Sequence, residues 1–316
     1  MKMLFVSATP LAGMPWRTMK VCNRFLEEDG GWAKPIIYDE RAYGKRMYPP
    51  GISGSPSEID EIYEEADVVI LSSYMGKEHA RGRPYTRHYS TEPFRWVEQS
   101  PEKHNSTVVA QYQARFAEHL DVLPNAIPID NPLYKPGIKS DEIINIVYSP
   151  TSRVDEGWAN KSYKEVMLVF RQILNDLDLK NKVNIYLLEN APHETVMAAR
   201  RKAHIVIDEC STGSYHSTTL EGLSCGASVL VWIDADTQFA IKRLFEKDIS
   251  FPVIQSLEKE LYPNLRMLIE NPTLLKSNMK ESRKWMEKHY SEQWQAGKWI
   301  KWHQHFLLNS KTKLTN

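Results

Sequence analysis

The chain has 316 residues, 42% hydrophobic and 25% charged, with 40 basic against 40 acidic side chains and a formal net charge of zero. That length exceeds one ordinary core and suits two lobes of roughly 150 residues each, while the even charge balance excludes a generally basic, non-specific nucleic-acid binder. Three widely spaced cysteines, Cys22, Cys210 and Cys225, exclude a disulfide framework and a structural zinc site; with no apolar run near about 18 residues and no leader pattern, a cytoplasmic protein is expected.

In chain order, KMLFVS reads as a short buried strand ending in the loop ATPLAGMP. Trp16, Met19, Phe25 and Leu26 then recur at helical spacing. KPIIYD is a second strand, YGKRMYPPGISGSPS a loop, EIDEIYEEA a helix, and DVVILSSY an apolar run fit for a strand covered on both faces. From Gly76 to Glu102 the chain turns polar and aromatic, which predicts site loops and little core. STVVAQYQA and VLPNAIPI read as further strands, and the proline-rich DNPLYKPGIKSDE marks a domain boundary. The pattern then restarts. IINIVYSPTSR, KVNIYLLEN, HIVIDE and SVLVWI are strands alternating with the helices YKEVMLVFRQILNDL and PHETVMAARRKA; from about Asp236 the chain is mostly helical. Such alternation predicts an α/β fold of two Rossmann-like lobes with parallel sheets, and an interdomain cleft at their carboxyl edges. The expected domains are residues 1–135, 136–290 and a C-terminal helix over 291–316 that packs back on the first lobe.

The most informative stretch is GSYHSTTLEGLSCGASVLVW, from Gly213 to Trp232. Thr218 and Glu221 match a capping box, which gives them a purely structural reading. The alternative is a ligand site. Gly213 permits close approach, Ser217 and Thr218 surround a helix start whose free N–H groups favour a phosphate, and Glu221 suits a ribose diol. This segment resembles the signature of GT-B glycosyltransferases, specifically the retaining glycosyltransferase family 4 group. In most members two glutamates bracket it; the first falls on Gly213, where this chain lacks the acid. VYSPTSRVDEGWANKSYKEV resembles the family segment in which an arginine and a lysine hold the donor diphosphate, here Arg153 and Lys161. Fixed cations would stabilise charge on the leaving diphosphate; the plain alternative is two surface cations on a loop.

The resemblance also implies that Gly13, in the loop after the first strand, approaches the transferred sugar, and that a histidine of the first lobe lines the sugar or acceptor side. His88 is assigned that role on a loop, with Ser90 and Glu92 nearby; His79 and His193 are lesser choices. The family implies a nucleotide-sugar donor as substrate, a glycan or other hydroxyl acceptor, retained configuration and no metal or other cofactor. Asp234-Ala235-Asp236 is read as a helix cap and not as a metal-binding Asp-x-Asp. Trp285, Trp294, Trp299 and Trp302 fit a packed terminal helix or, alternatively, a peripheral membrane contact. Other open readings are a nucleotide-sugar epimerase or phosphorylase, a non-catalytic nucleotide-binding module, and an enzyme acting on nucleic acid through Arg81, Arg83 and Arg87.

Overall fold

The computed structural model describes residues 1–10, 13–39, 48, 51–73, 75–90, 105–151, 153 and 161–314. The chain divides into two compact units, one of residues 1–128 with 292–316 and one of residues 129–291, so the division falls immediately ahead of the proline-rich segment. Glu92, named above, lies outside the described residues.

In the first unit, parallel strands run in the order β2-β1-β3-β4-β5-β6. They are β1 (Lys2–Ser7), β2 (Trp32–Ile37), β3 (Val68–Ser72), β4 (Tyr85–Tyr89), β5 (Ser106–Val109) and β6 (Asp121–Leu123). β3 is buried along its whole length, as a continuous apolar strand covered on both faces should be. Helix α1 (Met14–Leu26) starts at Gly13, whose φ of 77° is left-handed, and carries a proline in its first turn. Helix α2 (Pro56–Glu65) opens on a full capping box between Ser55 and Glu58.

β4 departs from the loop expected after Gly76. It pairs with β3 and β5 near the middle of the sheet, and Thr86 and His88 Nδ1 find partners outside the strand. The C-terminal helix, α9 (Glu292–Leu314), supplies one of them. Its His303 Nε2 accepts from Thr86 Oγ1 at 3.2 Å, and its Nδ1 donates to Trp299 O at 2.7 Å. His88 Nδ1 lies 2.9 Å from Thr107 Oγ1, and its ring meets the fully buried Trp299 edge-on at 4.7 Å. Trp299 also packs on Phe5 and donates to Pro124 O. Trp302 Nε1 donates to Asp121 Oδ2. The aromatic side of this helix is therefore turned onto the first sheet. Trp285 is also buried, among Phe245, Phe251 and Tyr290. Among the described residues no helix is long and apolar enough to cross a membrane.

Burial pushes the His88 imidazolium down to about 3, helped by His303, and burial likewise pushes His303 down to about 4. The unfolded value is near 6.5, so below it the unfolded chain takes up protons that the folded one refuses. Stability from these rings is complete above pH 6.5 and drains away as pH falls towards 4 and 3. His303→Gln keeps an acceptor for Thr86 and removes one titrating ring. The variant should lose less stability than the parent between pH 7 and pH 4.5, read from urea midpoints.

The second unit holds parallel strands in the order β11-β10-β9-β7-β8. They are β7 (Ile144–Tyr148), β8 (Val183–Leu187), β9 (Ile205–Ile207), β10 (Ser228–Val231) and β11 (Ile254–Gln255). Two-residue β11, within the stretch expected to be mostly helical, exists by pairing with β10. The helices are α3 (Tyr163–Asn175), α4 (His193–Lys202), α5 (Ser217–Ser224), α6 (Ala235–Phe245), α7 (Leu261–Glu270) and α8 (Pro272–His289). Val166, Phe170 and Ile173 of α3 and Leu261, Leu265 and Leu268 of α7 form one core with Ile146, Ile205 and Leu230 of the sheet.

Candidate active site

The site is assembled where β7, β9 and β10 end, at the carboxyl edge of the five-stranded sheet. Lys161 and Ser162 precede α3. Ser162 takes φ 54°, a left-handed conformation that costs a non-glycine residue on the order of 1–3 kcal/mol unless its surroundings fix it. They do fix it. Ser162 Oγ accepts from Cys210 N at 2.9 Å and donates to Ser211 Oγ at 3.2 Å, while the Tyr148 hydroxyl donates to Lys161 O at 2.6 Å. The bend carries the Lys161 side chain inward, where the residue is only 8% exposed and its Nζ lies 2.7 Å from His216 Nε2.

An ammonium donates and never accepts, so the charged lysine requires a bare Nε2 and places the imidazole proton on Nδ1. That nitrogen sits 3.2 Å from Asp208 Oδ1. Asp208 Oδ2 accepts from His216 N at 2.8 Å and Thr219 Oγ1 at 2.7 Å. Burial alone would raise the Asp208 carboxyl; the His216 ring, Lys161 and the Thr219 hydroxyl outweigh it and hold the group well below the usual carboxylate range. Burial lowers Lys161, against the pull of Asp208 and Glu209. The result is a desolvated cation beside the start of α5. That start has His216 as its N-cap residue, whose side chain makes no cap hydrogen bond, and the positive end of the helix dipole there favours an anion. The capping box between Thr218 and Glu221 does not form, because Thr218 already lies inside the helix.

The loop before α5 is held by one buried acid. Glu209 accepts from Ser211 N, Thr212 N and Ser214 N at 2.9, 2.7 and 3.1 Å, and from the Thr212 hydroxyl at 2.7 Å. Gly213 closes that loop with φ 75°, and its carbonyl accepts from Asp234 N at 2.9 Å. A Cβ built on Gly213 would overlap the Asp234 side chain, which caps α6 by accepting from Thr237 N. The backbone and the neighbour together demand glycine. Gly213→Glu, which would supply the acid that the resembled pattern carries there, should cost about 1–3 kcal/mol of stability. A lowered urea midpoint for both Gly213→Ala and Gly213→Glu checks this.

Glu221 is 2% exposed. Its Oε1 lies 3.0 Å from His193 Nε2, and its Oε2 is ion-paired with Arg200 Nη1. Arg200 Nη2 donates to Ser149 Oγ at 2.7 Å and Thr218 Oγ1 at 2.9 Å. Lys161, Ser217, Thr218 and Gly213 are thus gathered on one edge of one unit, whereas the Glu221 carboxylate, expected to face a ribose, is turned inward onto Arg200 and His193. Arg153 is two-thirds exposed and forked onto Glu189 at 2.6 and 2.8 Å, stacked over Tyr163. The segment between Arg153 and Lys161, with Gly157 and Trp158, lies outside the described residues.

Gly13 and His88 belong to the first unit. Gly13 has the left-handed backbone of a loop glycine, and a Cβ there would overlap the Tyr48 ring. His88 is not on a loop: it is a fully buried strand residue, held by Thr107 and Trp299, and its ring reaches no surface. Arg81 pairs with Asp60, Arg83 donates to Ala66 O at 3.1 Å, and Arg87 donates to Met75 O at 2.8 Å, so all three arginines are engaged within their own unit. Among the described residues no group of three or more His, Cys, Asp or Glu is placed to hold a metal.

No protein-family model matches the sequence, and neither does any curated protein sequence. Solved structures do match along the whole chain. A glycosyltransferase from Rickettsia africae ESF-5 superposes with a TM-score of 0.59 at 13% identity, covering 97% of this chain and 98% of that one. Anabaena HepE in complex with UDP and glucose gives 0.57 at 12% identity, covering 99% and 100%. The fold is GT-B-like. The UDP-GlcNAc 2-epimerase from Neisseria meningitidis, bound to UDP-GlcNAc, follows at 0.50 and 14% identity, covering 98% and 100%. Similarity at this level establishes architecture and leaves activity to the site itself.

Within the GT-B-like second unit, sequence reasoning missed His216, Asp208 and Arg200. A signal existed for one of them: Asp208 and Glu209 follow the apolar run of β9 and so stand where a parallel sheet presents its ligands. Arg200 sits in the basic run ARRK and looks like any solvated helix end.

Proposed function

We propose that the chain transfers a glycosyl group from a nucleotide-sugar donor to an acceptor hydroxyl with retained configuration. The observation that carries the reading is the buried Lys161 ammonium beside His216 at the start of α5, on a GT-B-like fold. As the bond from the anomeric carbon to the diphosphate oxygen breaks, its electron pair stays on the diphosphate. Lys161 and the positive end of the α5 dipole offset that charge, and interactions that strengthen as charge develops lower the barrier. Arg153 adds a second cation when it leaves Glu189, an exposed pair of little cost to break. The acceptor hydroxyl attacks the anomeric carbon on the face the diphosphate leaves, and its proton passes to the leaving phosphate oxygen. The reading assigns no metal. Glu221, buried against Arg200 and His193, is assigned to holding α5 in place and not to the ribose.

A screen of UDP-, GDP- and ADP-sugars for release of free nucleoside diphosphate, with and without sugar acceptors, tests the proposal. Turnover of one donor supports it, and inertness towards all of them at high enzyme concentration overturns it. A second reading, a nucleotide-sugar epimerase, draws on the epimerases among the structures of this fold. Interconversion of a UDP-sugar without any acceptor would select it.

A further inference from the structure

The opposite edge of the five-stranded sheet, where the strands begin, carries a separate feature. A hollow of about 560 Å³ opens there between the segment leading into β7, the turn at Gly226 leading into β10, and one face of α8. That volume falls within the range of small-molecule sites. Five of its lining side chains are cationic, Lys139, Lys276, Lys280, Arg283 and Lys284, against the single acid Glu287. The whole chain has no net charge, so this is a local concentration of positive charge.

Two of the five cations form the floor. Lys139 Nζ donates to Cys225 O at 3.1 Å and Gly226 O at 2.5 Å, and Arg283 Nη1 donates to Ser224 O at 3.0 Å. They satisfy the carbonyls at the end of α5. The other three are exposed and recur every fourth residue along α8, so their ammoniums project side by side. Lys276 pairs with Asp141 at 2.9 Å. Lys280 and Lys284 make no ion pair among the described residues. Like charges at this spacing destabilise a helix on their own, and an anion across the rim removes that penalty. Met279 and Pro136 give the hollow an apolar lining beneath the charges.

We propose that this hollow binds a small free polyanion carrying two or more phosphate groups, with Lys276, Lys280 and Lys284 donating to the phosphate oxygens. The site is separate from the diphosphate position assigned to Lys161, which lies at the other end of the same strands. Burial pushes the Lys139 ammonium down to about 8. An anion beside it favours the charged form again, so binding at pH 8 is accompanied by proton uptake.

The test is calorimetric titration of the full chain with inorganic tripolyphosphate at about 0.15 M salt, where distant charges are largely screened. Four proteins are compared: the parent, Lys280→Glu with Lys284→Glu, Lys180→Glu with Lys182→Glu as an equal charge change elsewhere on the second unit, and Arg153→Ala with Lys161→Ala. The parent should bind, Lys280→Glu with Lys284→Glu should weaken the affinity at least tenfold, and the other two should retain the site. Retention in the Arg153 and Lys161 variant separates this site from the proposed donor site. No binding by the parent overturns the proposal. So does equal weakening in both charge-reversed variants, or capture by phosphatidylglycerol vesicles without any affinity for tripolyphosphate.

Discussion

Lys161→Met should lower turnover of the productive nucleotide sugar by about 10²–10³-fold, the usual effect of removing one group that stabilises a developing oxyanion, with little loss of stability. The two halves of this result have one cause. Burial lowers Lys161 relative to its free value, so folding works against the charge at neutral pH. Methionine keeps the stem and removes the charge, so the variant should melt at the same temperature as the parent or higher. Asp208 keeps its bonds from His216 N and Thr219 Oγ1 and is not stranded. Activity lost while stability is held or gained marks a residue kept for its chemistry. The pH dependence follows the same sign. Turnover should fall on the alkaline side at a lower pH than an ordinary lysine gives, because the depressed group gives up its proton sooner. Donor turnover across pH 6 to 10 and a thermal melt check both halves. A variant that melts far below the parent, with activity lost only in proportion, removes Lys161 from the mechanism.

How much of this was legible in the sequence differs by element. β1, β3, β7 and β10 announce themselves because a parallel strand covered on both faces must be a continuous apolar run. β4 does not, because Tyr85-Thr86-Arg87-His88-Tyr89 is polar and its burial depends on Thr107 in a neighbouring strand and on His303, 217 positions along the chain from Thr86. Local pattern carries no trace of such a partner. The same limit hid the His216 contact to Lys161, which joins residues 55 apart. Gly213 was legible as a departure from the family pattern. Only the structure supplies its reason, a left-handed backbone with Asp234 filling the space above it. The resembled motif singled Glu221 out for a ribose, but it could not name Arg200 and His193 as the groups that turn its carboxylate inward.

Arg200→Ala should cost about 3–5 kcal/mol, the range for stripping one partner from a buried ion pair. Arg200 and Glu221 are almost wholly buried, and the guanidinium reaches Glu221 and Thr218 on α5 and Ser149 after β7. Truncation leaves the Glu221 carboxylate in low dielectric without its guanidinium partner, His193 Nε2 lying 3.0 Å from its Oε1, and it frees two hydroxyls at once. Arg200→Lys should recover only part of the loss, since a single ammonium cannot span the positions that the planar fork serves. Replacing both residues, Arg200→Met with Glu221→Met, should be less damaging than Arg200→Ala alone, because neither charge is then left unpaired. Urea midpoints for the three variants measure the series. The order also bears on the site, because this ion pair fixes the helix whose first amides face the proposed diphosphate. If Arg200→Ala unfolds no more readily than the parent, the pair does not hold α5, and the start of that helix needs another anchor.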